Sequence, residues 1–368
     1  MIEITPPKLN ELEITIFGPG FGECILIHWG NNQWAIVDSC INPKDKVCLP
    51  LNYLKSISVN TKKDVKMVVA THWHDDHIRG LSEIVNECSQ SIFVCSSALL
   101  NKEFLTFVKA YDTHTKIEDT GVSEISSVIE ILNSRSGRIV RAIVDRLLLN
   151  ELISIGSLKY EVKVHSLSPS DEDFNQANLG LGNLLKEIVG PTRRAINIQP
   201  NNVAVVIDIT VSNIKILLGS DLEVINNDKM GWNAIMKFSR IISGKFDYFK
   251  IPHHGSVTAH HEELWNKNID SDSLCTLTPF ELGRNFLPTE KDIERICSLT
   301  PNVYSTRIKE NRIKRENNVE KMIKEVVGTS LKLKSFSSGF IRCRRNIDNP
   351  TKNWEIELFN DAFRLCQV

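Results

Sequence analysis

The sequence predicts a mixed α/β (α+β) fold built from layered sheets, and three observations support this prediction. Short apolar stretches with period-two alternation, such as 12–17, are typical of strands. A strand, a histidine-rich loop, a helix and a second strand follow one another over 66–95, and this order is an α/β unit. Side chains able to bind metal follow strands in both halves of the chain, and such strand ends converge on one edge of a layered sheet structure.

Length and composition restrict the class of protein. At 368 residues and 42% hydrophobic, the chain can bury a large core, and its net charge of −1 points to neither nucleic acid nor a membrane. No apolar run approaches the ~20 residues of a membrane span, and 1–10 lacks the pattern of a secretory signal. The nine cysteines are scattered without a C-x-x-C pair, which argues against a disulfide scaffold or a cysteine zinc site. We therefore expect a soluble cytoplasmic protein whose cysteines are mostly small buried hydrophobes.

The first part of the chain predicts a run of short strands and then α/β units. A helix around 49–58 precedes the histidine loop, and apolar positions from Leu81 to Cys88 fit one face of a helix behind it. Glycine-containing turns separate the first strands. The predicted strands are 12–17, 24–29, 33–37, 66–70 and 91–95.

Two stretches predict elaborations on this core. Residues 97–150 are mostly helical by spacing, and strands resume at 152–155 and 158–164. Residues 171–200 are polar and contain a short amphipathic helix, which we interpret as an ordinary surface helix in preference to a functional lid.

The remainder alternates strands and helices. The predicted helices are 232–242, 289–299 and a charged helix at 309–327, and the predicted strands are 203–210, 214–218, 248–251, 273–278, 303–306, 331–344 and 354–359. No convincing linker interrupts the series, so we predict a single domain over 1–368, with a charged helix and terminal strands about 309–368.

The strongest functional signal is the loop Thr71-His72-Trp73-His74-Asp75-Asp76-His77, directly after an apolar strand. Imidazole nitrogens and carboxylate oxygens are the ligands that zinc prefers, and manganese or iron accepts the same set. Histidines that cap a helix or pack in a loop are the structural alternative, but that role does not require this many. The loop predicts a metal site formed by His72, His74, Asp76 and His77.

Two later features could complete the site. Asp221 follows a strand after Gly219-Ser220, although an aspartate there is often only a turn former or helix cap. His253-His254-Gly255 follows an apolar strand, and adjacent histidines there are unusual. From the residues alone, a ligand role and a structural role stay open for both features.

Five motifs occur in order between about 12 and 307: Gly18-x-Gly20-x-Gly22-Glu23-Cys24, Ile36-Val37-Asp38-Ser39, the loop from Thr71 to Gly80, Gly219-Ser220-Asp221, and Pro252-His253-His254-Gly255-Ser256. This series resembles the metallo-β-lactamase fold. More narrowly, it is similar to the metallohydrolase domain of the ComEC DNA-uptake channel and its stand-alone relatives. The resemblance implies an αββα sandwich with helical insertions and a metal cleft at one sheet edge.

The resemblance also implies roles for the ligands. His72 and His74 would hold a first metal, Asp76 and His77 a second, with Asp221 bridging the two and His254 completing the second site. Asp38 would support a ligand imidazole from behind, since such rings need a partner on their other nitrogen. His253 is the weaker ligand candidate of its pair. We expect one or two divalent ions, zinc or manganese.

Two positions depart from the family pattern. Ser168 stands where a ligand histidine is usual, and a serine hydroxyl is a poor zinc ligand. His165 lies three residues earlier, where strand alternation would point it to the opposite face. The first metal site is therefore short of a ligand, and three outcomes stay open. One metal is enough for activity, or the first metal binds weakly with an extra water, or the protein has lost turnover. Leu287-Pro288 also replaces a frequent histidine–proline pair.

These observations predict a metal-dependent hydrolase, with Asp76 and His77 as catalytic residues and Asp76 orienting the water. Resemblance to a DNA-handling domain favours a phosphodiesterase or nuclease, so nucleic acid is the expected partner, with no membrane involvement. A basic face from Arg307 to Lys324, with Arg342, Arg344 and Arg345, could follow a phosphate backbone, but interleaved glutamates favour a solvated helix with ion pairs. The alternatives are hydrolysis of a small ester, thioester or cyclic nucleotide, and a low-turnover protein that binds nucleic acid or a partner. The sequence leaves the oligomeric state open.

Overall fold

Two eight-stranded sheets pack face to face in the computed structural model, and helices cover both outer faces. The structure describes residues 4–18, 21–100, 104, 121–135, 138–188, 199–283, 285–307, 321–322, 325, 339–349 and 353–366. Within these residues the layers run helix, sheet, sheet, helix, so the predicted mixed α/β class is confirmed.

The first sheet gathers strands from the two ends of the described chain. Its strands are β1 (Glu11–Phe17), β2 (Cys24–His28), β3 (Trp34–Val37), β4 (Val65–Ala70), β5 (Ile92–Ser96), β6 (Ile139–Ala142), β16 (Phe340–Asn346) and β17 (Glu355–Phe359). Across the sheet they follow the order β17-β16-β1-β2-β3-β4-β5-β6. β3 to β6 run parallel, whereas β1, β2, β16 and β17 pair antiparallel.

The second sheet consists of β7 (Arg146–Ile155), β8 (Leu158–Ser166), β9 (Ile207–Val211), β10 (Ile214–Leu218), β11 (Tyr248–Lys250), β12 (Leu274–Leu277), β15 (Val303–Ser305) and β18 (Phe363–Arg364). Across the sheet these strands follow the order β18-β15-β12-β11-β10-β9-β8-β7. A separate two-stranded hairpin, β13 (Phe280–Leu282) and β14 (Asn285–Leu287), stands apart from both large sheets.

The alternation of the strands divides the apolar side chains among three cores. Between the sheets, Ile14 and Val69 from the first sheet meet Val162, Ile209 and Ile216 from the second. The opposite faces carry the outer cores under the helices, because successive strand residues point to opposite faces.

The helices lie mainly in these outer layers. Leu49–Ser56, Leu81–Glu87 and Gly121–Ser134 cover the first sheet, and Gly231–Phe238, Glu262–Asn268 and Glu290–Leu299 cover the second. The other α-helices of the described residues are Thr61–Asp64, Asp75–Ile78 and Asp171–Ile188, and the 3₁₀ turns are Ser97–Leu100, Pro200–Val203, His253–Gly255 and Val257–Ala259. No described helix has both the length and the apolar character needed to cross a membrane.

The stretch 97–150, predicted to be mostly helical, also contains strands. Helical backbone occupies Ser97–Leu100 and Gly121–Ser134, but β6 and the first half of β7 are extended. β6 spans only Ile139–Ala142, alternating exposed and buried side chains at the edge of the first sheet. A strand this short shows too little alternation to be distinguished from a helix by periodicity. Residues 105–120 lie outside the described part of the chain.

The predicted charged helix at 309–327 lies almost entirely outside the described residues. The three nearby arginines are described, and each pairs with a carboxylate: Arg342 with Glu357 and Arg344 with Glu13, at 2.6 and 2.7 Å, and Arg345 with Asp247 at 2.6 Å. Arg342 is fully buried. These three side chains therefore give no support to the alternative of a phosphate-binding face.

The cysteines divide into two kinds. Seven are buried free thiols, which fits their interpretation as small hydrophobes. Cys297 and Cys366 form a disulfide across 69 residues, joining the helix Glu290–Leu299 to the segment after β18. Local cysteine spacing does not predict this pair, because its members approach only through the folded second sheet.

Candidate metal centre

The site lies where four strands end. Asp38 follows β3 and the histidine loop follows β4, which are parallel neighbours in the first sheet. Asp221 follows β10 and His254 follows β11, which are parallel neighbours in the second. Parallel strands direct their carboxyl ends to the same edge, where α/β proteins commonly bind ligands. The fold thus brings residues as distant in sequence as Asp38 and His254 to one edge of the sandwich.

A first group of donor atoms consists of Asp76, His77, Asp221 and His254, all buried. The Nε2 atoms of His77 and His254 lie 3.3 and 3.4 Å from Asp221 Oδ2. The Asp76 Oδ2 atom lies 3.8 Å from His77 Nε2 and 3.2 Å from His254 Nε2. Ligands held at ~2.0–2.2 Å around a tetrahedral zinc ion lie roughly 3.3–3.6 Å apart. The spacing of this group therefore matches that of a metal coordination shell.

A second group consists of His72, His74 and the same Asp221. His72 Nε2 is 3.2 Å from His74 Nδ1 and 4.0 Å from Asp221 Oδ2. The Oδ2 atom of Asp221 is therefore shared between the two groups. The second group offers three protein ligands, whereas the first offers four.

Asp38 supports the histidine loop from below. Its Oδ1 accepts the Thr71 backbone N–H at 2.7 Å, and its Oδ2 lies 2.7 Å from Thr71 Oγ1 and 2.8 Å from His77 Nδ1. Its backbone has a φ of 61°, a left-handed conformation that is uncommon outside glycine. The contact with His77 Nδ1 fixes that ring and leaves Nε2 for a ligand.

A buried ion pair lies behind Asp221. The ammonium of Lys250, which is completely buried, is 2.6 Å from Glu23 Oε1 and 3.8 Å from Asp221 Oδ1. It also donates to the Ser220 carbonyl at 3.1 Å. Glu23 accepts a hydrogen bond from Thr278 Oγ1, and the Thr278 carbonyl lies 2.9 Å from His254 Nδ1. This chain of contacts ties the bridging carboxylate to the His254 ring.

His253 points away from the first group of donor atoms. Its Nδ1 lies 3.1 Å from Glu223 Oε1 and 2.9 Å from Thr258 Oγ1, and its Nε2 lies 3.3 Å from Asn201 Nδ2. Both His253 and His254 have positive φ, at 46° and 53°. This pair of left-handed residues sends the two rings to different partners.

Ser168 is buried and has a structural role. Its hydroxyl donates to the Ala204 carbonyl at 2.6 Å and accepts the Val206 N–H at 2.8 Å. It therefore holds the segment before β9, which itself meets the histidine loop through a bond from Val205 N–H to the Thr71 carbonyl at 3.1 Å. The described hydrogen bonds of the Ser168 hydroxyl thus serve the backbone on either side of Val205.

The charges of the site shift its protonation equilibria. Burial lowers the pKa of His72 well below its ordinary value and also lowers that of His74. Burial would do the same to His77 and His254, but Asp221 and Asp76 outweigh it, so the pKa of His77 is well above its ordinary value and that of His254 rises to about 10. The same pairs hold the pKa values of Asp76 and Asp221 below their usual range against the effect of burial. In the absence of a cation, the raised pKa values of His77 and His254 thus favour protonated rings opposite the two carboxylates.

These residues fit a divalent cation. His77 Nε2 and Asp221 Oδ1 are buried and make no hydrogen bond, although both belong to strongly polar groups. Buried polar atoms are rarely left in this state, and metal ligation is one explanation. The donor set of histidine nitrogens and carboxylate oxygens suits zinc or manganese. Which metal binds, and whether one or two, stay predictions.

The sequence-based prediction gave no role to five side chains that support the site, although Glu23 and Thr71 stand in the motifs above: Glu23, Thr71, Asn201, Glu223 and Lys250. One local signal was available, because a lysine inside the apolar strand 248–251 is unusual and predicts a buried ion pair. The others act through contacts between distant segments. His260 and His261, which follow the His254 turn in sequence, lie before the helix Glu262–Asn268, and His260 contacts Arg295 there.

Comparisons with known proteins agree with this architecture. Residues 17–142 match the model of the metallo-beta-lactamase superfamily, a span that contains His72, His74, Asp76 and His77 and ends before Asp221 and His254. No curated protein matches the sequence. The match and the two sheets with outer helices confirm the predicted metallo-β-lactamase-like fold class. The narrower resemblance to the ComEC domain rests on the sequence motifs alone.

Solved structures show similarity at low identity. The metallo-beta-lactamase fold protein YhfI from Bacillus subtilis is 11% identical, covering 65% of this chain and 71% of that one, with a TM-score of 0.32. BJP-1, a subclass B3 metallo-beta-lactamase of Bradyrhizobium japonicum, is 12% identical over 62% and 70%, with a TM-score of 0.31. The flavodiiron protein from Giardia intestinalis is 13% identical over 54% of this chain and 32% of that one, with a TM-score of 0.26.

Replacing Ser168 tests its structural role. We expect Ser168→Ala to lower the free energy of unfolding by about 1–3 kcal/mol, because two buried backbone groups lose their partner. Metal content per chain should stay at the wild-type value. Urea unfolding and elemental analysis measure the two quantities, and a loss of metal without a loss of stability would assign Ser168 to the metal instead.

The proton balance predicts how metal affinity depends on pH. His254 has a pKa of about 10, so its Nε2 must lose a proton before a cation can bind at neutral pH. Below that pKa, apparent affinity should rise with pH, by about tenfold per pH unit for each proton released. Competition with a chelator between about pH 6 and pH 8, with a dye to count released protons, measures this. Constant affinity across that range would contradict the assigned ligands.

The Glu23–Lys250 pair predicts a strong coupling in stability. Lys250→Met leaves the Glu23 carboxylate buried without its partner, so it should lower the free energy of unfolding by about 3–5 kcal/mol. Adding Glu23→Gln should restore most of that loss. Urea unfolding in the presence of a chelator measures this loss in the free energy of unfolding without a contribution from bound metal. If the effects of the two substitutions on that free energy simply add, Glu23 and Lys250 are not coupled.

Proposed function

We propose that this protein is a metal-dependent phosphodiesterase, with nucleic acid as the expected substrate class. The observation that carries the proposal is the pair of donor groups that share Asp221 Oδ2. Two neighbouring cations suit phosphodiester cleavage, because one can stabilise the attacking oxygen and the other the leaving oxygen.

A bound divalent cation supplies hydroxide at neutral pH by lowering the pKa of water from ~15.7 toward ~7. The protein's own contribution is to fix the reacting groups. Asp76 faces both His77 and His254, so its carboxylate can accept a hydrogen bond from the attacking water and orient it. Asp38 holds His77 from its other side, which keeps Nε2 directed into the site. Burial of these side chains limits bulk water, so their electrostatic effects on the reaction are stronger than in solution.

Unequal ligand numbers assign different tasks to the two groups. The group containing Asp76 and His254 has four protein ligands and would hold its cation more firmly. The group of His72 and His74 has three, which leaves a coordination position for substrate or water; catalytic zinc sites commonly keep such an open position. The absence of a fourth protein ligand at Ser168 is therefore compatible with turnover.

A second candidate function follows from the same asymmetry. If the three-ligand group binds its cation too weakly, the protein would bind nucleic acid or a partner with little turnover. Hydrolysis of a small ester, thioester or cyclic nucleotide is the enzymatic alternative, because this fold hosts several hydrolytic reactions. The number of metal ions bound per chain distinguishes the low-turnover binding protein from the phosphodiesterase. The range of substrates cleaved distinguishes the hydrolase of small esters, thioesters or cyclic nucleotides.

The assay that tests the proposal compares wild type with His77→Ala on single-stranded DNA, double-stranded DNA, RNA and small phosphodiesters, each with Zn²⁺ or Mn²⁺. We expect wild-type cleavage and a loss in kcat/KM of about 10²- to 10⁴-fold in the variant, because His77 binds the cation and borders the water that Asp76 orients.

His165→Ala is the matched control, since that histidine is only partly buried on β8 and belongs to neither donor group. It should keep wild-type activity and metal content. Activity that survives in His77→Ala would reject the assigned site, and wild-type protein that cleaves small esters but no phosphodiester would reject the substrate class.

A further inference from the structure

A row of aromatic rings leads outward from the metal centre. The ring centroid of Phe280 lies 5.3 Å from that of His254, with 34° between the planes. Phe21 continues the row at 5.7 Å from Phe280. The guanidinium carbon of Arg79 then lies 5.1 Å from the Phe21 centroid. Phe21, Phe280 and Arg79 are all partly exposed, so part of the row faces solvent.

The backbone fixes this row relative to the metal ligands. Phe280 opens the hairpin β13–β14, which an ion pair of 2.9 Å between Glu281 and Arg307 anchors. Phe21 precedes Gly22, where a φ of 128° and the nearness of Cys40 leave no room for a side chain. The Glu23 N–H donates to the Asp76 carbonyl at 2.7 Å. Both rings thus belong to segments bonded directly to the site.

Beyond Phe21 the row opens into a shallow surface depression, whose lining includes Phe21, Lys46, Asp75 and Arg79. Lys46 and Arg79 contribute two positive charges to its lining, and Asp75 contributes one negative charge that is paired with Arg79 at 2.9 Å. The net charge of the lining is therefore positive, which suits an anionic group.

We propose that the row seats an unpaired base of a single-stranded nucleic acid, with the phosphate beside that base at the metal centre and the next one toward Lys46 and Arg79. This inference rests on the proposed phosphodiesterase function and names its substrate form. Every base has a π-face, so stacking on Phe280 and Phe21 is tolerant of sequence. A paired base inside a duplex cannot present that face to the rings, so the row favours single strands.

The binding test uses the full-length protein loaded with Zn²⁺ or Mn²⁺, and a short fluorescent single-stranded oligonucleotide with phosphorothioate linkages that resist cleavage. Stacking contributes about 1–3 kcal/mol per base, so Phe280→Leu should weaken binding by about 5- to 150-fold in fluorescence anisotropy. Phe280→Trp keeps an aromatic face and should bind like wild type. An oligonucleotide with abasic sites should lose affinity for wild type but not for Phe280→Leu.

Two controls keep this result interpretable. Phe238→Leu makes the same substitution at an exposed phenylalanine on the helix Gly231–Phe238, outside the row, and should leave binding unchanged. Phe21→Leu should weaken binding even if Phe280→Leu fails to fold. Unfolding curves identify such a failure.

The outcomes distinguish this inference from the proposed function. Equal binding of wild type, Phe280→Leu and Phe21→Leu, equal affinity for abasic strands, preference for a duplex, or no binding of single strands would overturn the inference. Cleavage of phosphodiesters that does not depend on these rings would leave the proposed function intact. Binding through the rings without any cleavage would support the base site and reject the phosphodiesterase.

Discussion

The structure depends on how it neutralises the carboxylates buried at one edge of the sandwich. Glu23, Asp38, Asp76 and Asp221 are all buried there, and Lys250 is the lysine buried among them. Burying an unpaired ion costs several kcal/mol, so each of these groups requires a partner. Hydrogen bonds from Thr71 and contact with His77 satisfy Asp38, Lys250 satisfies Glu23, and the histidines face Asp76 and Asp221. A cation that enters the centre takes over part of this neutralisation from the protons.

Sequence reasoning predicted the parts of the fold that depend on local patterns. The alternation of 12–17 located β1, and the short, mainly apolar stretch 214–218 located β10. The histidine loop was visible because its ligands lie within a few residues of one another. Contacts such as Glu23 with Lys250, or Cys297 with Cys366, arise only when distant segments meet, and no periodicity encodes them. The short strand β6 and the hairpin β13–β14 were missed because each carries too few residues to show a period.

The two sides of the centre differ in how they are built. On the side of Asp76, Asp38 backs His77 and Thr278 backs His254. On the other side, Thr71 Oγ1 lies 3.0 Å from Nδ1 of the buried His72, whereas His74 is partly exposed. Three of the four histidines are thus buried and held from behind, and His74 borders the surface. This difference, more than the number of ligands alone, shapes how the site can meet a substrate.

The position of β16 has a consequence for how the molecule assembles. β16 lies between β17 and β1, so the first strand of the described chain pairs with residues more than three hundred positions later. Contacts this distant in sequence slow folding, because a long loop must close, at a cost in entropy, before the contacts can stabilise the fold. During synthesis, the histidine loop and β1 leave the ribosome long before β16 exists to complete their sheet. All the residues of the candidate metal centre, up to His254, are therefore synthesised before the strand that completes the first sheet.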